Sequence, residues 1–311
     1  MLKDYIKIAR PDHWIKQMFI VPGALFAFLL AENGGIDGTV IRSFIFSFIS
    51  TCFVASANYV INEWLDADFD KYHPTKKYRP VVSDDLKTPV ILAEYAVLGA
   101  AGLAFGYMTS IPVFLMELWL FIMGIVYNVR PMRTKEIPYL DVLSESVNNA
   151  IRLLIGWFAV TTAFYPPVSI VLGYWMSGAF LMAVKRYSEY RMIGDKETAG
   201  LYRRSFKYYS EQSLLISAFF YALMAVFFCG IFLIKYKIEL IFAIPLLSGL
   251  FCYYLHLSYK KDSSVQKPEK LYKEKGLMIY ILILGIVFVL LMFMHIDGLM
   301  MFLDKDLIPV K

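Results

Sequence analysis

The chain alternates long apolar runs with short polar segments along its whole length. Nine runs have the roughly 17–25 residues that a helix needs to cross a bilayer. They occupy residues 14–31, 41–63, 89–109, 111–128, 138–162, 167–184, 213–234, 238–258 and 277–298. The pattern predicts an all-α integral membrane protein with nine transmembrane helices. We expect one transmembrane domain over residues 1–311, because no polar segment is long enough for a separate soluble domain.

The composition agrees with a membrane protein. Of the 311 residues, 59% are hydrophobic and 17% aromatic, and the mean hydropathy is +0.55, which excludes an ordinary soluble domain. The three cysteines, Cys52, Cys229 and Cys252, are scattered through apolar runs. They predict neither a disulfide framework nor a zinc site. We expect membrane lipid as the surroundings and no nucleic-acid partner.

If the nine spans cross the membrane in turn, the basic residues are distributed unevenly between its two sides. The N-terminal segment and alternate connecting segments hold 25 of the 31 lysines and arginines. By the positive-inside rule, these segments face the cytoplasm. The sequence therefore predicts a multi-pass protein of the cytoplasmic membrane with a cytoplasmic N-terminus.

An acidic motif follows the second apolar run. Asn62, Asp66 and Asp70 are spaced at i, i+4 and i+8, so on a helix they share one face and rise by roughly 6 Å at each step. Carboxylate and amide oxygens on one stripe suit Mg²⁺, with Asn62, Asp66 and Asp70 as candidate ligands. The simpler alternative is a helix end that passes into a solvated loop.

A cationic segment comes directly after this motif and contains Lys76 and Arg79. Lysine and arginine bind phosphate oxygens, and carboxylates beside them hold Mg²⁺. Together they predict a diphosphate-binding site. Lys76 and Arg79 are its candidate substrate-binding residues.

A second charged segment follows the sixth run and contains Lys185, Arg186 and Glu189. Lys185 and Glu189 share a helix face at i, i+4, with Arg186 beside them. One interpretation is a second wall of the same cavity, where Lys185 and Arg186 bind phosphate and Glu189 assists the metal or the acceptor. The other is a positively charged flank with one intrahelical ion pair. Residues 201–209 are most simply an interfacial helix at the lipid headgroups.

Arg152 lies inside the fifth apolar run, with Asn149 less than one turn away. A charged side chain at membrane depth is costly unless it faces a partner or a cavity. Arg152 and Asn149 are therefore candidate substrate-binding residues in a polar cavity.

The acidic motif and the His-Pro-x-Lys-x-x-Arg-Pro sequence after it (residues 73–80) resemble the first signature of the UbiA superfamily of intramembrane prenyltransferases. The resemblance covers nearly the whole chain. It implies nine transmembrane helices around a central polar cavity open to the cytoplasmic side. It also implies catalytic roles for Asp66, Asp70 and Glu189, and substrate binding by Asn128 and Lys135 after the fourth run. Glu63 stands where the signature usually has Asp, and Lys185 to Glu189 replace the family's second Asp-x-x-x-Asp motif.

Short segments look like the decaprenyl-phosphate phosphoribosyltransferase branch of this superfamily. They include residues 10–16, which make Lys16 a candidate substrate-binding residue, the Lys-Arg-Tyr-x-Glu element at 185–189, and the Arg152-x-x-x-Gly156 spacing. Gln17 stands where that branch tends to carry Asn. Enzymes of this branch use phosphoribosyl pyrophosphate as donor and a polyprenyl phosphate as acceptor.

The sequence thus predicts a Mg²⁺-dependent integral-membrane prenyltransferase of UbiA type. Its substrates would be an isoprenoid lipid (di)phosphate and a diphosphate donor, with pyrophosphate as leaving group. Phosphoribosyl transfer to a polyprenyl phosphate is the close alternative. A membrane transporter is the alternative of another class; it would predict paired inverted repeats with interrupted spans, which the sequence does not contain.

Overall fold

A computed structural model describes residues 2–31, 35, 37–71, 76–83, 86–260, 263–266 and 268–299, and within these ranges the chain is helical with no β-strand. The α-helices are α1 (Leu2–Ile8), α2 (Val21–Leu30), α3 (Gly38–Asp70), α4 (Pro80–Ser83), α5 (Thr88–Thr109), α6 (Ile111–Asn128), α7 (Leu140–Val160), α8 (Val168–Ile193), α9 (Lys196–Tyr202), α10 (Glu211–Tyr236), α11 (Ile244–Ser258) and α12 (Lys275–Phe293).

Eight helical segments among the described residues are long and apolar enough to cross a membrane. They correspond to eight of the nine predicted spans. The remaining predicted span, 138–162, matches α7, which is 21 residues long but carries Asp141, Glu145 and Arg152 and is not among those eight segments. The all-helical membrane architecture is confirmed, and a total of nine spans stays a prediction.

Two of the spans begin with a 3₁₀ segment instead of an α-helix. Residues 11–20 precede Pro22 near the start of α2, and residues 238–243 precede Pro245 near the start of α11. Proline lacks the backbone N–H and its ring clashes with the carbonyl four residues earlier, so a continuous α-helix cannot pass through it. The predicted span 14–31 is therefore α-helical only in its second half.

Helices α3 and α8 continue about two turns beyond the apolar runs that predicted them. The extension of α3 carries Asp66 and Asp70, and that of α8 carries Arg186 and Glu189. Helix α8 ends at Gly194, whose φ of 72° is the left-handed conformation that glycine adopts easily at a helix end. The polar motifs are thus held on rigid helices.

Helix α7 lies at the centre of the packing and contacts α2, α3, α6 and α8. Successive long helices run in opposite directions. The C-terminal ends of α3, α6 and α8 therefore lie at the same end of the bundle as the N-terminal ends of α7 and α10. We call this the polar end, since it carries the acidic motif and the charged segment 185–189.

Helices α2 and α7 approach each other through two glycines. A Cβ atom on Gly156 would overlap the Ile20 carbonyl, and one on Gly23 would overlap the Leu153 carbonyl. Small residues allow helix backbones in a membrane protein to approach this closely. The two glycines therefore set the position of the central helix.

Replacing Gly156 with alanine should push α2 and α7 apart. Overpacking of a tight contact costs roughly 1–3 kcal/mol, so we expect the Gly156→Ala variant to have a lower free energy of unfolding in detergent. Gly285 on α12 is the matched control, because a Cβ there meets nothing within 4 Å. Gly285→Ala should leave the unfolding midpoint unchanged or raise it. Equal midpoints for the two variants would contradict the close approach.

The predicted orientation can be tested by labelling single cysteines, after Cys52, Cys229 and Cys252 are replaced by serine. Ser83 and Glu197 are exposed at the polar end, and Tyr165, 89% exposed, lies in the segment between α7 and α8. A membrane-impermeant maleimide should label Tyr165→Cys on intact cells but label Ser83→Cys and Glu197→Cys only after lysis. Labelling of either of the last two from outside would reverse the orientation.

Candidate active site

A cavity that is partly open to solvent lies at the polar end of the bundle. Its walls come from the last turns of α3, the segment between α6 and α7, and the region around the end of α9. The lining residues are Asp66, Phe69, Asp70, Arg133, Lys135, Glu136, Tyr202, Arg203 and Arg204. Three of the predicted site residues, Asp66, Asp70 and Lys135, are among them.

Asp66 is surrounded by donors from two elements. Arg133 donates from NH2 to Oδ1 at 3.0 Å, and the Lys135 ammonium donates to the same oxygen. Asn62, one turn earlier on α3, donates from Nδ2 to Oδ2 at 3.2 Å. Asp66 therefore remains a carboxylate with a fixed orientation. Because the Asn62 Nδ2 points towards Asp66, the geometry favours Asn62 as a residue that orients this carboxylate over Asn62 as a metal ligand.

Asn128, the last residue of α6, connects the α3 motif to the next segment. Its Oδ1 accepts from Asn62 Nδ2 at 2.5 Å and from Lys135 Nζ at 2.8 Å. Its own Nδ2 donates to the Gly124 carbonyl at 2.9 Å, which fixes the amide orientation. Asn128 does not line the cavity; it positions residues that do.

The backbone bends sharply at Arg133. Its φ of 30° lies in the left-handed region, which residues other than glycine rarely adopt. The bend allows Arg133 to donate to the Asn128 carbonyl at 3.0 Å and to Glu136 at 2.6 Å while it also reaches Asp66. Burial lowers the pKa of the nearby Lys135 ammonium to about 8, although its attraction to Asp66 favours the charged form. The strained segment thus brings two cations to one carboxylate.

Asp70 and Glu63 are both buried and held by arginines. Arg79 donates to Asp70 Oδ2, and its Nε lies 3.9 Å from Glu63 Oε2. Arg10 donates to the same Glu63 oxygen from NH2 at 2.7 Å and from Nε at 3.2 Å. Arg79 does not line the cavity, so its role in substrate binding stays a prediction. Lys76 is a predicted substrate-binding residue, but its side chain lies outside the described part of the structure.

The carboxylates of Asp66 and Asp70 fit a Mg²⁺ ion. They lie one turn apart on α3 and line the same cavity. Among the described residues, no group of three histidine, cysteine or acidic side chains forms a complete metal site. Mg²⁺ commonly binds through one or two carboxylates and takes its other ligands from water and substrate phosphates. The oxygen donors and the open cavity match that kind of site.

A second ionic cluster surrounds Arg186, which is fully buried. Its guanidinium contacts three carboxylates: Nε lies 3.4 Å from Asp141 Oδ2, NH1 lies 3.3 Å from Glu189 Oε2, and NH2 donates to Glu145. Helix α8 supplies Arg186 and Glu189, and α7 supplies the other two acids. Arg186 and Glu189 do not line the cavity, and neither does Lys185. These contacts favour a structural role for Arg186 over direct phosphate binding.

Arg203 lies between this cluster and the cavity, a position that the sequence pattern did not predict. Its NH1 approaches the Tyr127 hydroxyl at 3.4 Å and Asp141 Oδ2 at 3.9 Å, and its buried Nε has no hydrogen-bond partner among the described atoms. Burial opposes the charged form, but the phenol groups of Tyr127 and Tyr202 and nearby carboxylates raise the pKa of the guanidinium well above its ordinary value. The expectation of an interfacial helix over residues 201–209 is wrong for Arg203, because it faces inward.

The remaining predicted residues lie away from the cavity. Arg152 is about 18 Å along α7 from Leu140, and its Nε donates to Gln17 Oε1 at 2.7 Å. Asn149 packs beside Gly178 on α8, and Lys16 lies 3.3 Å from His13 Nδ1. The structure therefore does not bring Lys16, Asn149 and Arg152 into one cavity with Asp66. Their substrate-binding roles stay predictions.

Known proteins match this chain in sequence. It is 26% identical over 225 residues to the decaprenyl-phosphate phosphoribosyltransferase of Mycolicibacterium smegmatis, covering 69% of this chain and 65% of that protein. It is 27% identical over 195 residues to a protoheme IX farnesyltransferase of Pseudomonas savastanoi pv. phaseolicola, covering 61% and 63%. The matches thus span slightly less than two thirds of either relative. Both relatives are transferases.

The fold has a solved counterpart. A UbiA homolog from Archaeoglobus fulgidus, solved with DMAPP and Mg²⁺, superimposes with a TM-score of 0.69 at 19% identity over 94% of this chain and the whole of that one. At this identity the likeness establishes the fold. The UbiA prenyltransferase family model matches residues 20–283, most of the chain. The protein therefore belongs to the UbiA prenyltransferase family.

Proposed function

We propose that the protein is a Mg²⁺-dependent phosphoribosyltransferase that uses phosphoribosyl pyrophosphate as donor and a polyprenyl phosphate as acceptor. The observation that carries this proposal is the lining of the cavity. Among the described residues, four bases and three acids line it, and the aromatic residues there are Phe69 and Tyr202. The M. smegmatis relative, whose name describes this transfer, gives independent support.

The lining favours a donor that is polar throughout. A prenyl diphosphate needs a hydrocarbon wall next to its headgroup site, and Phe69 is the most apolar side chain available. Its ring is already covered by guanidinium groups, with Arg133 at 5.1 Å and Arg204 at 5.2 Å from the centroid. A sugar with phosphates at both ends would instead find cations on several sides.

The fixed cations support departure of pyrophosphate. Mg²⁺ bound by Asp66 and Asp70 would supply Lewis-acid stabilisation of the charge that develops on the leaving group. Lys135, Arg133 and Arg203 lie on the same cavity and are held by hydrogen bonds or ring contacts. Preorganised cations of this kind stabilise developing charge without further rearrangement.

The atoms and charges of this transfer balance, and few protons have to move. The bond between ribose C1 and the pyrophosphate oxygen breaks, and pyrophosphate leaves with the bonding electrons. An oxygen of the lipid phosphate forms the new bond to C1, so the acceptor is already an anion and requires no strong base. Glu189, which was predicted to assist the metal or the acceptor, is not required for these steps.

Prenyl transfer from an allylic diphosphate is the second candidate. The farnesyltransferase relative from P. savastanoi favours it, and it uses the same leaving group and the same acidic motif. It differs in the donor, because an isoprenoid chain would have to leave the polar cavity towards the apolar spans. Product analysis separates the two candidates directly.

Purified protein should convert phosphoribosyl pyrophosphate and a polyprenyl phosphate into a phosphoribosylated lipid in the presence of Mg²⁺, as detected by mass spectrometry. Asp66→Asn removes a candidate metal ligand while keeping the size of the side chain, so we expect this variant and wild type in excess chelator to give no product. Allylic diphosphates with aromatic acceptors should give none with wild type. Turnover of allylic diphosphates alone would establish the second candidate instead.

Arg203 should affect the donor more than the lipid acceptor. Losing a hydrogen bond to a charged group costs roughly 1.5–3 kcal/mol, so Arg203→Gln should raise the KM for phosphoribosyl pyrophosphate about 10- to 100-fold. The KM for the lipid phosphate should change little, and Arg203→Lys should recover part of the loss. Arg191→Gln is the matched control, because Arg191 pairs with Glu211 outside the cavity. Similar kinetics for the Arg203 and Arg191 variants would remove Arg203 from the donor site.

A further inference from the structure

Arg152 is a charged side chain inside the bundle, and its hydrogen bonds do not balance its charge. Within the described part of the chain, its Nε donates to Gln17 Oε1 at 2.7 Å and its NH1 to the Asn148 carbonyl at 3.1 Å. Both acceptors are neutral. Glu117 is near enough to attract the guanidinium, but its Oε1 lies 2.5 Å from Thr51 Oγ1, and the described contacts include no ion pair with Arg152. An arginine at membrane depth is costly unless it faces a partner or a polar cavity.

The guanidinium lies nearer the polar end than the backbone of Arg152 does. Its hydrogen bond to the Asn148 carbonyl shows that the side chain runs back along α7 by about one turn. Asn148 is about 4.5 Å along the helix from Glu145. The Arg186 cluster consists of the Arg186 guanidinium and its three carboxylates, Asp141, Glu145 and Glu189. The charge of Arg152 is therefore about one turn inward from this cluster.

The face of α7 that carries these residues is partly accessible. Glu145, Asn148 and Arg152 are spaced at i, i+3 and i+7, so they share one face of the helix. Each is only partly buried, although α7 contacts α2, α3, α6 and α8. The helices therefore leave room beside this face. Gln17 is fully buried next to it, and its Nε2 has no hydrogen-bond partner among the described atoms.

Two lysines add positive charge to the same region. Lys16, the neighbour of Gln17 in the chain, is close enough to Lys185 on α8 for the two charges to repel each other. Repulsion between like charges is stronger inside a protein than in water. An anion bound nearby would reduce that cost.

The surroundings suit an anion that carries an apolar chain. Beyond Arg152, α7 has no charged residue up to its end at Val160. Ile151 and Ile155 are buried in the same apolar cluster as Ile20. A sugar phosphate would bury hydroxyl groups against such residues at a cost, whereas an isoprenoid chain would gain by leaving water.

We propose that Arg152, with the Gln17 amide beside it, binds the phosphate of the lipid acceptor, while the isoprenoid chain extends into the apolar part of the bundle. Arg152 supplies the charge, and Gln17 Nε2 donates to a phosphate oxygen. Donor and acceptor are thus held by different cations. The inference rests on the proposed function for the identity of the acceptor.

The experiment follows the thermal unfolding midpoint of the purified protein in detergent, without Mg²⁺ or donor, as farnesyl phosphate is added. Wild type should be stabilised, and much less so by farnesol, inorganic phosphate or ribose 5-phosphate. Arg152→Gln should raise the apparent Kd for farnesyl phosphate about 10- to 100-fold, because a hydrogen bond to a charged group is lost. Arg152→Lys should raise it less. Arg191→Gln is the matched control, because Arg191 pairs with Glu211, and it should keep the wild-type Kd.

Gln17→Glu separates ligand binding from a structural role. The new carboxylate would pair with Arg152, so this variant should unfold at a higher temperature without ligand and lose its response to farnesyl phosphate. Arg152→Gln should unfold no lower than wild type without ligand, because it removes a charge that lacks an acidic partner among the described residues. A purely structural role predicts a lower midpoint for Arg152→Gln and an unchanged response in Gln17→Glu.

If Arg152→Gln does not fold, Gln17→Glu and Arg152→Lys decide the question. Equal Kd values for wild type and Arg152→Gln would overturn the inference. An Arg152-dependent response to ribose 5-phosphate would also overturn it, since the site would then belong to the donor. Both results leave the proposed function intact as long as the phosphoribosylated lipid forms. Binding of farnesyl phosphate through Arg152 without formation of that product would contradict the proposed function and not the binding site.

Discussion

The rest of the structure depends on the pairing of buried charges at one end of an apolar helix bundle. A buried ion without a partner costs several kcal/mol, and removing one partner of a buried pair is strongly destabilising. Here each buried acid of the α3 extension and of the Arg186 cluster contacts a cation from another element or another turn. Glu63 pairs with Arg10, Asp70 with Arg79, Asp66 with Lys135, and Asp141 with Arg186. These pairs tie the N-terminal segment, the loops and the long helices together where apolar packing ends.

Helix α7 shows how one element serves both packing and charge. Its polar residues, Asp141 and Glu145, lie in the first two turns beside Arg186, and its small residue, Gly156, lies near the other end against α2. Between them, Arg152 donates to Gln17 instead of pairing with an acid. A central helix contacts protein on most sides, so it tolerates charged groups that the outer helix α12 carries only at its first residue, Lys275. This is why α7 can carry two acids and an arginine within a predicted span.

The candidate site combines a rigid wall with short loops under strain. Asp66 and Asp70 are fixed on α3, while Arg133 and Lys135 come from a three-residue turn that is held by Asn128 and Glu136. The left-handed backbone at Arg133 is unfavourable for a side-chain-bearing residue. It is stabilised by the ion pairs and hydrogen bonds that it makes possible. The cost of the strained turn is therefore balanced by a fixed set of cations facing two carboxylates.

The sequence determined the membrane-spanning helices, because the length of an apolar run is a local property and the thickness of the bilayer sets the length that is needed. It also determined the face shared by Asn62, Asp66 and Asp70, since helical spacing alone places them together. Which distant groups meet those residues was a matter of tertiary structure. Arg133 and Arg203 looked like ordinary basic flanks, and Arg186 looked like a phosphate ligand. Only the packing of α7 against α8, and the turn after α6, decided that two of them face the cavity and the third is enclosed by carboxylates. An ionic contact depends on where whole helices lie, and no short stretch of sequence encodes that position.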